Sequence, residues 1–301
     1  MTSSLYICPV CHAVLEHEGE ALRCPRDGYV NIPNDGIRDF LSAGLEAAHE
    51  RFIEEYTAIR HAEGRGWESA DNYLIYPYIL LHGALGEEVK LRAESLEWLW
   101  RYITDHVQKN ADREWNPLTV LDAGAGTCWL TRYLAEWGHS AVALDITIDD
   151  RDGLGAGRHY LRNLPLTFDR VRAGFEDMPF AAGSFDAVVF NGSLHYALDM
   201  HRVLVEATRV LKPEGAIIII DSPFYHDSAS GEKMLREREG NNRSGYLTYD
   251  RLGEHADALG LRVEIDLPER TRSERLRRRL RELRMGRGIA EMPRVVLRDE
   301  G

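Results

Sequence analysis

The amino-acid sequence predicts an α/β fold: a seven-stranded, mostly parallel sheet with helices on both faces, preceded by a small cysteine-bearing unit and a helical segment. Three observations carry this. Residues 118–146 run as strand, glycine turn, helix, strand and terminal acid, which is half of a nucleotide-binding α/β unit. Further short apolar runs recur downstream, separated by stretches with helical spacing of apolar residues. Cys8, Cys11 and Cys24 cluster near the N-terminus, where thiols three apart on a tight turn can grip a metal.

The first unit spans residues 1–41. Cys8-Pro-Val-Cys11 is a metal knuckle, and Cys24-Pro-Arg-Asp27 repeats its shape with Asp27 in place of the second cysteine. Cys8, Cys11, Cys24 and Asp27 therefore form the expected Zn²⁺ ligand set, since a carboxylate oxygen is a legitimate zinc ligand, with His12 or His17 as substitutes for the fourth position. The alternative is a degenerate ribbon that folds as a small β-unit without metal. In either case the role is structural or substrate-presenting, because four protein ligands leave no open position for catalysis.

Residues 42–114 are expected to be helical. Over 42–64, Leu45, His49, Phe52, Ile53, Tyr56 and Ile59 share one stripe; over 71–110, one or two more helices follow. The segment is either a linker packed on the core or a lid over the site.

Residues 115–301 carry the sheet. Val120-Leu121 begins the first strand, and the glycine turn follows at Asp122-Ala-Gly-Ala-Gly126. Trp129, Leu130, Tyr133, Leu134 and Trp137 then mark a helix that stops at Gly138. The second strand ends at Asp145, where a carboxylate can accept both hydroxyls of a ribose. Gly124 and Gly126 let a ligand lie against the backbone, and the helix N-terminus aims free N–H groups at the same spot. A dinucleotide fingerprint wants a third glycine three residues on; Trp129 stands there, which argues against NAD. The third strand is expected near 170–173, the fourth at 188–191 and the fifth at 217–220, a run of four isoleucines. His195 and Tyr196 are expected to begin the helix after the fourth strand. A loop is expected at 240–245 and a capped helix at 248–260. The sixth strand is placed at 262–267, and the seventh, antiparallel to it, at 293–298.

These motifs together resemble the class I S-adenosylmethionine-dependent methyltransferases. Asp122-x-Gly124-x-Gly126 is similar to their motif I. Glu176-Asp-Met-Pro-Phe180 followed by Gly183-Ser-Phe-Asp186 resembles a second family segment, and Arg209-Val-Leu-Lys-Pro-Glu-Gly215 a third, with Glu214 in place of the usual glycine. The resemblance covers roughly residues 115–267 and is nearest to the ubiquinone/menaquinone-type, or type 11, subfamily. It implies a Rossmann-like sheet and S-adenosylmethionine as cofactor. By the same resemblance Asp122, Gly124, Ala125, Gly126, Asp145 and Ile146 hold the cofactor. Phe175 can stack on the adenine, with Glu176, Asp177 and Asn191 as further contacts. His195 is either a general base or a satisfied residue near a helix start. The family's lid habit makes Tyr56, Arg60, Tyr73 and Tyr76 candidates to face the site, with Arg60 able to pair the methionine carboxylate or else lying on a solvated face. The N-terminal unit resembles the zinc ribbon of some methyltransferases, 23S rRNA guanine methyltransferases among them.

Bulk properties narrow the field. The chain has 301 residues, room for one core domain plus appendages, and an ordinary 44% hydrophobic content. No apolar run approaches the roughly 20 residues that span a bilayer. The start lacks a basic region and a long apolar stretch, so no signal peptide is expected, and few, clustered cysteines fit a reduced, cytoplasmic setting. A net charge of −12 disfavours a globally electrostatic nucleic-acid binder.

The charge is uneven. Residues 270–287 hold nine arginines against Glu274 and Glu282, so this stretch carries +7 and leaves −19 on the rest. It sits within an insertion at 269–290 and is expected to be a helix with a narrow stripe of Leu276, Leu280 and Leu283. Either it docks on the acidic body, or it hangs beside the site with Arg275, Arg278 and Arg279 meeting an anionic acceptor. The function expected is methyl transfer to a small-molecule acceptor. The rivals are an RNA methyltransferase using ribbon and arginines, and an inactive methyltransferase-like interaction protein.

Overall fold

Strand alternation explains the core. Ile217 and Ile219 belong to one buried apolar cluster with Leu121, Val142 and Val188, while Ile218 and Ile220 belong to a second with Val120, Ala143 and Val189. Both sheet faces are therefore covered, as a parallel sheet requires. The computed structural model describes residues 5–41, 43–107, 116–237, 245–268 and 270–299.

The N-terminal unit is a three-stranded antiparallel sheet, β1 (Glu16–Glu18), β2 (Ala21–Arg23) and β3 (Val30–Asn31). Its last strand, β4 (Ile37–Asp39), leaves that sheet and joins the main one. Helices α1 (Ala43–Ala62), α2 (Ala70–Ile75) and α3 (Gly83–Tyr102) follow. The main unit runs β5 (Thr119–Ala123), α4 (Trp129–Glu136), β6 (Ser140–Asp145), α5 (Arg158–Asn163), β7 (Asp169–Arg172), β8 (Phe185–Asn191), α6 (Met200–Val210) and β9 (Leu211–Ile220). It ends with β10 (Phe224–Tyr225), α7 (Ser228–Glu237), β11 (Leu247–Thr248), α8 (Tyr249–Ala258), β12 (Leu261–Asp266), α9 (Arg272–Met285) and β13 (Arg294–Asp299).

The main sheet has order β12-β13-β9-β8-β5-β6-β7-β4. Seven strands follow the expected Rossmann-like topology, β13 lying antiparallel to both β9 and β12. The eighth is β4, which pairs parallel to β7 with Ile37 opposite Arg170. The sequence reading stopped at seven because Ile37-Arg-Asp is too short and polar to show as a strand alone.

The cysteine unit packs on the face covered by α6 and α8: Tyr6, Cys8, Leu15, Leu22 and Cys24 are buried in that cluster. Tyr6 stacks on Phe40 and tilts against Phe180, both at 5.6 Å, and its hydroxyl donates to Asp169 at 2.5 Å. The opposite face is covered by α2, α3, α4 and α5 through Tyr73, Leu99, Leu130 and Tyr160.

Two local expectations are corrected. His195 and Tyr196 do not begin a helix; they lie in a single 3₁₀ turn, Leu194–Tyr196, and α6 starts at Met200 behind the N-cap Asp199. The Asp199 carboxylate accepts from the Arg202 N–H, a capping signal that outweighs the apolar pattern. The fifth strand, expected at 217–220, begins earlier, at Leu211, so the family-like segment ending at Gly215, which by resemblance is a turn before that strand, runs into it. Residues 240–244 of the expected loop lie outside the described residues, as do 108–115, at the expected boundary between helical segment and sheet, and the Leu45 and His49 side chains.

Candidate functional site

β5 delivers the chain into the turn at Gly124, Ala125 and Gly126. The Gly124 and Ala125 N–H groups donate to Leu144 O on β6, at 2.7 and 3.0 Å, tying the turn to the next strand. Gly124 has φ +80°, and a Cβ there would stand 2.3 Å from Ser193 Cβ and 3.1 Å from the Phe175 ring. Only glycine lets those side chains close on the turn. Gly126 has φ +49° with nothing within 4 Å of its missing Cβ: its open side faces a cavity of 890 Å³.

Asp145 stands at the same floor. Its Oδ2 accepts from Gly126 N and its Oδ1 from Thr147 N, both at 2.8 Å. Each oxygen keeps a lone pair, and burial pushes the carboxyl above its ordinary pKa, as expected of a carboxylate that hydroxyl donors would stabilise. Asp122 is buried beneath the turn. Its Oδ2 accepts from Thr131 N at 3.0 Å and Thr131 Oγ1 at 2.6 Å, anchoring the start of α4, while Oδ1 has no partner among the described residues. Burial lifts its pKa to about 7.

Of the sequence-expected residues, Asp122, Gly124, Ala125, Gly126, Asp145, Ile146, Phe175, Glu176, Asn191 and His195 all line this one cavity. Asp177 does not; it is exposed and points elsewhere. Glu176 is largely used within the fold, accepting from Leu198 N at 3.0 Å. Asn191 is buried with its Oδ1 unpartnered among the described residues.

The helical segment supplies the other half. Phe52, Tyr56 and Tyr196 form an aromatic cluster with centroids 5.5–5.9 Å apart, and all three line the cavity. Tyr76 lines it too. Tyr73 does not: it is buried, its hydroxyl accepting from Trp67 N and lying within donating reach of Trp67 O and Arg151 O. Arg60 lines the cavity, but its guanidinium is spent on a two-pronged bond to Asp152. Arg65 and Arg92 share Glu88, which holds them at 2.6 and 2.9 Å. Burial raises the Glu88 carboxyl's pKa, but the two guanidiniums outweigh it and bring the value down to about 2. Arg92 lies between the Tyr76 and Trp129 rings.

Asp221 was not singled out by sequence reasoning. It follows the four isoleucines, lines the cavity and has φ +54°, which is strained for a non-glycine residue. Ser95 Oγ of α3 donates to its Oδ1 at 2.6 Å; Oδ2 is buried and unpartnered among the described residues. Burial pushes this carboxyl up as well. The signal was available: an acid ending a central parallel strand sits at the ligand edge for the same reason as Asp145.

A second cluster lies away from the cavity. One ligand atom each from Cys8, Cys11, Cys24 and Asp27 fall within 4.8 Å of one another. Cys11 and Cys24 sulfurs are 3.4 Å apart, and Cys8 Sγ is 3.2 Å from Asp27 Oδ2. The Val10 and Arg26 N–H groups reach the Cys8 and Cys24 sulfurs at 3.4 Å, the same bond in both knuckles. Neither His12 nor His17 belongs to the cluster.

The arginine-rich insertion is the helix α9, between β12 and β13. Since β12 runs parallel to the central strands, α9 leaves from the edge that carries the glycine turn, and Ala290 and Met292 just after it line the cavity. Arg275, Arg278 and Arg279 themselves do not. Arg278 is bound to Ile289 O, Ala290 O and Glu282.

Residues 121–219 match the family model described as "Methyltransferase domain". A glycine/sarcosine/dimethylglycine N-methyltransferase of Actinopolyspora halophila is 32% identical over 214 residues, covering 69% of this chain and 35% of the relative. A ubiquinone/menaquinone biosynthesis C-methyltransferase of Klebsiella pneumoniae is 34% identical over 110 residues, 34% of this chain and 42% of the relative. The chain thus spans between a third and a half of the length of these curated relatives. The crystal structure of a candidate sarcosine dimethylglycine methyltransferase from Galdieria sulphuraria superimposes with a TM-score of 0.50 at 18% identity, over 68% of this chain and 84% of that one, a likeness of fold. By strand order, glycine turn and this match, residues 121–219 of the chain belong to the methyltransferase domain family.

Proposed function

We propose that the chain is an S-adenosylmethionine-dependent methyltransferase acting on a small-molecule acceptor. The observation that carries this is the open glycine turn joined by hydrogen bond to Asp145, both lining one 890 Å³ cavity. The residues present fit the cofactor. Gly126 leaves open space that a side chain would fill, Asp145 keeps acceptor capacity for two ribose hydroxyls, and Phe175 and Asn191 offer a ring face and an unpartnered oxygen. The cavity size falls within the range of small-ligand sites. S-adenosylmethionine supplies a methyl group already activated on a sulfonium.

The chain's own task is then alignment and exclusion of water. The α1–α3 segment acts as a lid: Phe52, Tyr56 and Tyr76 wall the acceptor half. Arg92, sharing Glu88 with Arg65, is the cation best placed to meet a carboxylate on the acceptor. Asp221, with its free oxygen, orients the acceptor or takes its proton, with His195 a second candidate. Similarity to a glycine/sarcosine/dimethylglycine N-methyltransferase and to a ubiquinone/menaquinone biosynthesis C-methyltransferase supports a small acceptor; nothing in the cavity favours RNA.

Calorimetry tests the cofactor half. Asp145→Ala should weaken S-adenosylmethionine binding by about 1–3 kcal/mol, the scale of hydrogen bonds to a charged group. Unchanged affinity would refute the assignment. For the acceptor half, Asp221→Asn should lower kcat with cofactor affinity intact.

The Cys8, Cys11, Cys24 and Asp27 site fits Zn²⁺: three thiols and a carboxylate whose ligand atoms lie within 4.8 Å of one another are a donor set zinc accepts. Its four ligands make it structural. Elemental analysis of protein purified without added metal should give about one zinc per chain.

A further inference from the structure

α9 is built the wrong way round for a helix that merely docks. In such a helix the apolar stripe faces the protein. Here Arg278, Glu282 and Met285 form the partly buried face, and Leu276, Leu280 and Leu283 stand two residues away along the helix, hence on the opposite side. Those leucines are 60%, 58% and 73% exposed. No residue of α9 is buried. The helix is nevertheless well made. Thr271 and Glu274 form a reciprocal capping box at its start, and Gly286 closes it in the left-handed conformation.

Its charges divide in the same way. Arg278 on the inner face, with Arg270 and Arg287 beyond the helix ends, makes the ion pairs that fasten the insertion, to Glu291 and Glu237, while Arg278 also pairs with Glu282 one turn on within α9. Lys233 of α7 reaches the Met285 and Gly286 carbonyls. Arg272, Arg275, Arg277, Arg279, Arg281 and Arg284 form no salt bridge with any described residue and are exposed. The body therefore holds α9 by its polar face and presents leucines flanked by six unpaired guanidiniums.

We propose that α9 is an interfacial helix that seats the protein on a bilayer surface rich in anionic lipid. A row of leucines flanked by arginines matches both layers of such a surface, apolar below and anionic above. A nucleic-acid phosphate chain would use the arginines and leave the leucines in water. The remainder of the chain carries −19 against +7 around α9, so an anionic bilayer repels the rest of the chain on balance and favours the orientation with α9 toward it. In that orientation the sheet edge bearing the cavity is turned toward the membrane. Among the described residues no helix is long and apolar enough to cross a bilayer, so the contact is made in the plane of the surface.

Flotation of the purified full chain with phosphatidylcholine vesicles, with and without phosphatidylglycerol, tests this. Binding is expected to the anionic vesicles and to fall with salt. Leu276→Ser, Leu280→Ser and Leu283→Ser together should weaken it roughly tenfold with all arginines kept, and Arg277→Gln with Arg279→Gln should weaken it independently. Absence of flotation with anionic vesicles overturns the proposal. So does a leucine variant that floats as well as the parent while polyuridylate displaces both, which identifies a phosphate-binding face. Sedimentation showing a dimer that the leucine variant disperses overturns it in favour of a second copy.

Discussion

The N-terminal unit and the arginine-rich insertion are attached to opposite edges of one sheet, and they are attached in opposite ways. The N-terminal unit adds β4 to the β7 edge and buries Tyr6, Cys8, Leu15, Leu22 and Cys24 in the main core. The insertion at the β12 edge buries nothing along α9 and turns its leucines outward. An appendage that shares core with the sheet contributes to stability, so damage to it spreads. An appendage fastened by ion pairs can be altered without the fold responding, which leaves its surface available for binding.

Unfolding measurements should separate the two. Tyr6→Ala removes a ring packed between Phe40 and Phe180, and its hydrogen bond to Asp169; urea unfolding should show a loss of about 3–5 kcal/mol, and a loss under about 1 would mean the unit is only loosely docked. Cys24→Ser, which removes one ligand of the proposed zinc site and a buried thiol, should cost about 2–3 kcal/mol and abolish zinc in the purified protein. A variant that keeps both metal and stability would favour a ribbon that folds without it.

Asp122, at the centre of the sheet, supplies a pH reference for both edges. Its folded pKa of about 7 lies above the unfolded value, so the folded state holds the extra proton and stability falls as pH rises from the ordinary carboxylate range toward 7. Asp122→Asn should flatten that slope, gaining roughly 3 kcal/mol relative to the parent at pH 7 over pH 4. Parallel stability curves for the two proteins would disprove the raised value. The smallest effect is expected at α9: the three leucine-to-serine substitutions should leave stability within about 0.5 kcal/mol, the ordinary scale for exposed sites. A larger loss would show that the leucines are covered by the chain itself.

How legible the molecule was follows the same division. The strands read clearly where burial on both faces gives continuous apolar runs, as at 217–220, and the glycine turn with Asp145 read because backbone conformation and strand-end position constrain residue type. β4 escaped because pairing with β7, not its own composition, makes it a strand. Tyr73 looked like a site residue but is core, and Arg60 looked available but is held by Asp152; one sequence does not reveal partners ninety residues apart. Asp221 was legible by its strand-end position, as Asp145 was; what the sequence hides is that Ser95 of α3 occupies one of its oxygens. The inversion of α9 was illegible for a related reason: the stripe was plain, the side it faces was not.

β4 also bears on the order in which the molecule can assemble. Ile37 emerges early in the chain and its partner Arg170 only after α1–α3, β5 and β6. A parallel pairing of such separation is slow to close, since the intervening loop entropy must be met before contact is rewarded. Until then the cysteine unit must persist without the core it later shares, and the metal proposed for its four converging side chains would keep so small a unit folded while it waits. Refolding without metal should accordingly be slower than refolding with it, even where the end state is the same.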